Sequence, residues 1–128
     1  MNVESLKYNK EHLWAQVEGD TAKIGITDYA QNELGDVVFV ELPEVGKVVA
    51  KGDVIGSIES VKSVSDIVAP LSGEVSGANT ALEDVADTIN KDPYGEGWIF
   101  SVKIENKAEL DDLMDFAAYK THTESAME

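Results

Sequence analysis

At 128 residues, with 43% hydrophobic side chains, the chain has the size of one domain and enough apolar content for a real core, which argues against global disorder. Its 25 acidic residues against 10 lysines, with no arginine, leave a formal charge of −15 and argue against a nucleic-acid partner or bidentate arginine recognition. Absence of cysteine excludes disulfides, thiol nucleophiles and thiolate metal sites, and no apolar run approaches the ~18 residues of a membrane span.

Met1 to Tyr8 show neither the apolar stretch of a secretory signal nor the Arg/Ser richness of a transit peptide. A cytoplasmic bacterial chain fits, as does a mature mitochondrial chain. Leu6 to Tyr8 reads as a short extended start. Leu13–Glu18 and Thr21–Ile26 read as a hairpin joined by Gly19-Asp20. Asp28–Leu34 reads as a short helix, with Thr27 as N-cap and Gly35 just past its end. Asp36–Leu42 is an apolar β-branched run ending at Pro43 and is expected to be a fully buried strand.

Short pieces follow. Val54–Ser60 and Asp66–Ala69 read as strands. Gly46-Lys47-Val48 and Gly73-Glu74-Val75 resemble each other and suggest a two-fold pseudo-repeat about the segment between them. Leu82, Val85, Ala86 and Ile89 have helical spacing, so a helix is expected over Ala81–Ile89. Asp92-Pro93-Tyr94-Gly95 has type I turn preferences. Trp98–Ile104 alternates as a half-buried strand. Asn106 can cap a last helix over about 107–120, with Leu110, Leu113, Met114 and Ala117 on one stripe, and 121–128 is expected to fray. Many short strands with peripheral helices indicate a small, mostly β barrel or sandwich forming a single domain over 1–128.

One lysine stands out. Lys62 is the sole cation between Gly52 and Asn90, and strands flank it on both sides. A lysine in a turn is ordinarily a solvated charge, but this context is unusual. Without Asn-Gly or Asp-Gly at its tip, the hairpin disfavours a type I′ turn and suits a longer loop around a type I turn, which exposes the lysine. Glu59 and Asp66 place negative charge around it, a pattern that a modifying enzyme can read. Pro70 and glycines 52, 56 and 73 keep the flanks short and rigid. Such a platform suits a covalent arm, because a fixed base raises the effective concentration of its tip.

Other sites have less support. His12 and His122 are the sole histidines; His122 falls in the expected tail and His12 stands alone, so a histidine-based metal site or triad has little support. Glu83-Asp84-Asp87 and Asp111-Asp112-Asp115 lack calcium-loop spacing. Trp14, Phe39, Trp98 and Phe100 read as core, and no serine sits in a nucleophile elbow.

Several motifs occur in a characteristic order. They are His12-Leu-Trp14, Ile24-Gly-Ile-Thr-Asp28 with Ala30-Gln31, Leu34 to Pro43, Glu59-Ser-Val-Lys62, Ser65-Asp66, Ala69-Pro70 with Ser72-Gly-Glu74, and Asn90 to Trp98. From Leu6 to Tyr119 the chain resembles the glycine cleavage system H-protein family, relatives of lipoyl and biotinyl carrier domains. The resemblance implies a barrel-sandwich hybrid fold with lipoic acid in amide linkage to Lys62, within the context of Glu59, Val61 and Ser63. It implies a non-catalytic carrier of an aminomethyl group. Glycine decarboxylase would load it, aminomethyltransferase unload it and dihydrolipoyl dehydrogenase reoxidise it, after a lipoate-attaching enzyme had modified Lys62. A monomer without membrane or nucleic-acid partners is expected. The loaded arm ends in a cation, and Glu33 and Asp66 are candidates to dock it. Some relatives carry an acid where Leu13 stands, and some an imidazole where Glu33 stands. Biotin carriers flank their lysine with methionines; Val61 and Ser63 point to lipoate. Two alternatives keep the fold: a paralogue that donates lipoyl groups to other complexes, and a non-lipoylated interaction module.

Overall fold

The computed structural model describes residues 6–9 and 11–127, with 124–127 as backbone only. The single-domain span 1–128 runs past these limits at both ends, and Glu128 of the expected frayed tail lies outside them. Two antiparallel sheets dominate. The larger has the order β1 (Lys7–Tyr8), β2 (Leu13–Glu18), β3 (Thr21–Ile26), β9 (Phe100–Ile104), β8 (Gly73–Ala78) and β5 (Val48–Val49). The smaller has the order β4 (Val37–Glu41), β6 (Val54–Ser60) and β7 (Val64–Val68). Helices α1 (Asp28–Leu34), α2 (Thr88–Lys91) and α3 (Phe116–Met127) lie outside the sheets. Ile24, Val75 and Val102 of the first sheet bury against one cluster with Val40, Ile58 and Ile67 of the second. This is the expected mostly β barrel-sandwich hybrid.

The first hairpin forms as its residues dictate. Leu13 pairs with Ile26 and Glu18 with Thr21. Gly19 has φ of 62° while Asp20 does not enter positive φ, the pattern of a type II′ turn. Trp14 lies opposite Gly25 and is fully buried. A Cβ on residue 25 would stand 2.6 Å from the indole, so glycine is what admits the ring. Burying that ring contributes roughly 4 to 6 kcal/mol of transfer free energy. Its Nε1 donates to the Pro93 carbonyl at 2.9 Å, so the polar edge is satisfied.

Thr27 caps α1 as expected, its hydroxyl accepting from the Ala30 amide. Asp92–Gly95 closes as a turn through the Gly95 amide and the Asp92 carbonyl. The two pseudo-repeat pieces become antiparallel neighbours: Val48 pairs with Glu74 and Val49 with Gly73.

Four expectations are corrected. β4 is not fully buried. A register shift between Val37 and Phe39 leaves Val38 55% and Phe39 50% exposed, so Phe39 is not core. The 81–89 helix is instead a 3₁₀ turn, Thr80–Glu83, followed by α2. Asp84, Asp87 and Thr88 are poor helix formers, and Leu82 and Ile89 reach the core while Val85 stays exposed. The last helix is also divided. A 3₁₀ segment, Lys107–Asp112, ends where Tyr8 and Met114 exchange backbone hydrogen bonds of 2.8 and 2.7 Å. Leu113 is extended there, and the Asp115 carboxylate then accepts from the Ala118 amide to start α3. Finally, the tail is helical to Met127, with Thr123 buried.

Candidate functional site

The turn bearing Lys62 joins β6 to β7. No described non-glycine residue except His12 has positive φ, so Val61 and Lys62 cannot form a type I′ turn. Ser60 instead closes the loop. Its backbone amide donates to the Ser63 carbonyl at 2.8 Å, as does its hydroxyl at 3.1 Å. The same hydroxyl oxygen accepts from the amides of Lys62 and Ser63, at 3.3 and 3.1 Å. The Val61 amide donates to the Asp36 carbonyl, tying the tip to the start of β4.

Lys62, Val61 and Ser63 are all exposed, as is Glu59. The lysine stem crosses Gly35, where a Cβ would come within 2.9 Å of the lysine Cε. Gly35 also has φ of 77° and ψ of −156°, a backbone conformation that requires glycine, whereas the exposed lysine end could swing away from a Cβ. Asn90 holds this corner: its Oδ1 accepts from the Val37 amide and its Nδ2 donates to the Gly35 carbonyl, both at 2.8 Å. The lysine therefore leaves a braced platform.

Beside the platform lies a cleft of about 280 Å³. Leu13, Ile26, Ile58 and Ile67 give it an apolar floor, and Glu11, Glu33 and Asp66 are among the residues that line it, Asp66 at an outward-facing position of β7 beside the floor residue Ile67. The structure thus brings Glu33 and Asp66 into one cleft, although they are far apart in sequence. Asp66 follows Lys62 by four residues, across the end of the turn and into β7. An apolar floor with acidic walls fits an aliphatic arm that ends in a cation.

The cleft contains residues that the sequence reading did not place. His12 and Tyr29 line it, with ring centres 4.6 Å apart. His12 has φ of 65°, a left-handed conformation stabilised by Asn9, whose Oδ1 accepts from the Glu11 and Leu13 amides. His12 Nδ1 lies 2.8 Å from the Tyr119 hydroxyl, which lies 2.6 Å from the Thr27 hydroxyl. Burial lowers the His12 pKa, the charge of His122 lowers it further, and Glu11 and Glu33 oppose the shift. The imidazole therefore favours its neutral form. Burial also pushes Tyr119 up to about 12, keeping its phenol protonated. The available signal was Asn9 ahead of His12 in a turn; nothing local pointed to Tyr119. Among the described residues no group of acids and histidines could hold a metal ion, and no helix is long and apolar enough to cross a membrane.

Comparison with known proteins agrees with this geometry. The family model for the glycine cleavage H-protein matches residues 6–126. A glycine cleavage system H protein of Thermus thermophilus is 55% identical over 118 residues, covering 92% of each chain. That of Bacteroides fragilis is 50% identical over 117 residues, covering 91% of this chain and 93% of the relative. A crystal structure of a glycine cleavage system H protein from Mycobacterium marinum superposes with a TM-score of 0.85 at 37% identity, covering 96% of this chain and 98% of that one. The chain belongs to the glycine cleavage H-protein family, the non-catalytic lipoyl carriers of the glycine cleavage system.

Proposed function

We propose that Lys62 is the lipoyl attachment site and that the chain works as a single-domain, monomeric carrier in the cytoplasm. The observation that carries this reading is an exposed lysine on a hairpin braced by Ser60, Asp36 and Gly35, beside an acidic cleft with an apolar floor. Amide formation requires the Lys62 amine to lose a proton and displace the leaving group of an activated carboxyl. The adjoining residues Glu59, Val61 and Ser63 form the surface that the attaching enzyme meets. When bound, lipoate supplies a reducible disulfide that carries the aminomethyl group of glycine between enzymes. Family membership means that the chain works with the other glycine cleavage enzymes. We assign those roles to glycine decarboxylase, aminomethyltransferase and dihydrolipoyl dehydrogenase.

Glu33 and Asp66 hold the cationic end of the loaded arm in the cleft. Leu13 forms floor where some relatives carry an acid, and Glu33 supplies a carboxylate to the same cleft. The neutral imidazole of His12 adds no repulsive charge.

Intact mass after expression in a lipoate-replete host tests the attachment. The wild type should gain one lipoyl group and Lys62→Ala none. An unmodified wild type would overturn the carrier reading. For docking, Glu33→Gln with Asp66→Asn should shorten the lifetime of the aminomethyl form several-fold. An unchanged lifetime would remove both residues from that role.

A further inference from the structure

Three exposed apolar side chains surround the base of the Lys62 turn. Phe39 is 50% exposed, Val61 68% and Val64 64%. Phe39 pairs with Glu59 and Glu59 with Val64, so these residues form one row across β4, β6 and β7. The row between, Val40 and Ile58, is buried to 2% exposure. Glu41, Ser57 and Asp66 form the next row on the outward face.

A phenylalanine left half exposed at a strand position forgoes part of the stabilisation that full burial would contribute. Scattered single apolar residues need no explanation, but this group is contiguous and adjoins the lysine. The three strands carry Glu41, Glu59 and Asp66 and no lysine. Lys47 reaches the Glu41 and Asp66 end of this face from the loop before β5, so the face is an apolar centre whose surround is acidic in balance, three carboxylates to one ammonium apart from Lys62 itself. It complements a protein surface with an apolar pocket and basic rim.

We propose that the outer face of β4, β6 and β7 is the docking surface for the enzyme that acylates Lys62, with Phe39 and Val64 as apolar anchors and Glu59 as the acid between them. This rests on the reading of Lys62 as the attachment lysine. Reach argues for this occupant. Before modification, the reacting amine extends from the turn only by the lysine's own methylene stem. The acylating enzyme must therefore cover the turn and the row beside it. Enzymes that meet the finished arm can stand further off.

The test uses the purified unmodified chain, a lipoate–protein ligase, lipoate and ATP. Acylation is followed by intact mass at several carrier concentrations, and binding of the unmodified carrier to the ligase is measured by calorimetry. Phe39→Ser should raise the carrier KM at least about fivefold with kcat unchanged, and weaken binding by the same factor. Phe39→Leu should restore most of both. Val48→Ser, a change at a more exposed valine on β5 of the other sheet, should alter neither. Wild-type KM and binding in Phe39→Ser would overturn the proposal. So would normal acylation of that variant with lost turnover by glycine decarboxylase, which would assign the face to that enzyme. Normal acylation with loss of a wild-type dimer would assign it to a second copy and likewise overturn the proposal. Failure of the wild type to gain any lipoyl group would instead sink the attachment reading, and this docking surface with it.

Discussion

Ser60 sets how well Lys62 is presented. One hydroxyl accepts from two turn amides and donates to the carbonyl that closes the loop. Ser60→Ala should cost about 1 kcal/mol, because the freed amides can still reach water. It should also speed amide hydrogen exchange at Lys62 and Ser63. Unchanged exchange there would show that strand pairing alone holds the turn. Asn90 acts similarly beneath Gly35, with a side chain that satisfies backbone groups of two segments. Ser60 stands inside the recognised Glu59–Lys62 motif, yet its role was not legible, because its bonds depend on the loop geometry. The place of Lys62 in an exposed turn was legible from the strand-like runs on either side of it.

At the scale of elements, α3 is tied to the cleft. Tyr119 joins His12 to Thr27, the N-cap of α1, and stacks on Tyr8 with ring centres 4.6 Å apart. Among the described residues, Tyr29, Tyr119, His122, Glu11 and Glu33 are the titratable groups around His12. The folded His12 pKa lies below its ordinary 6.5, so its contribution to stability is fully present above pH 6.5 and is lost as pH falls through the folded value. The thermal midpoint should therefore decline below pH 6.5, and His12→Asn should flatten that part of the decline. An NMR titration midpoint for His12 at or above 6.5 would refute the shift. Elements built from neighbouring residues were legible: the β2–β3 hairpin and α1 arose from turn and cap residues. The helix expected over 107–120 was not. Its apolar stripe has the right spacing, but pairing of Met114 with Tyr8 takes the backbone out of the helix.

For the whole molecule, a formal charge of −15 governs encounters. Association with basic partner surfaces should be steered, so raising salt from about 50 to 500 mM should lower the on-rate by about tenfold or more while changing the off-rate little. Stopped-flow mixing with glycine decarboxylase measures this; a salt-independent on-rate would mean that the acidity serves solubility alone. The sequence by itself determined the mostly β class, the family and the lysine at a hairpin tip. Alternation, turn residues and motif order are local properties that survive without coordinates. Tertiary structure alone decided that Glu33 and Asp66 share a cleft with His12, that Phe39 faces outward and that the last helix breaks at Met114. Each depends on register or on contacts between distant segments, which no local pattern encodes. The Lys62 hairpin belongs to both: its place was written in the chain, and its rigidity comes from Ser60, Asp36 and Gly35 meeting around it.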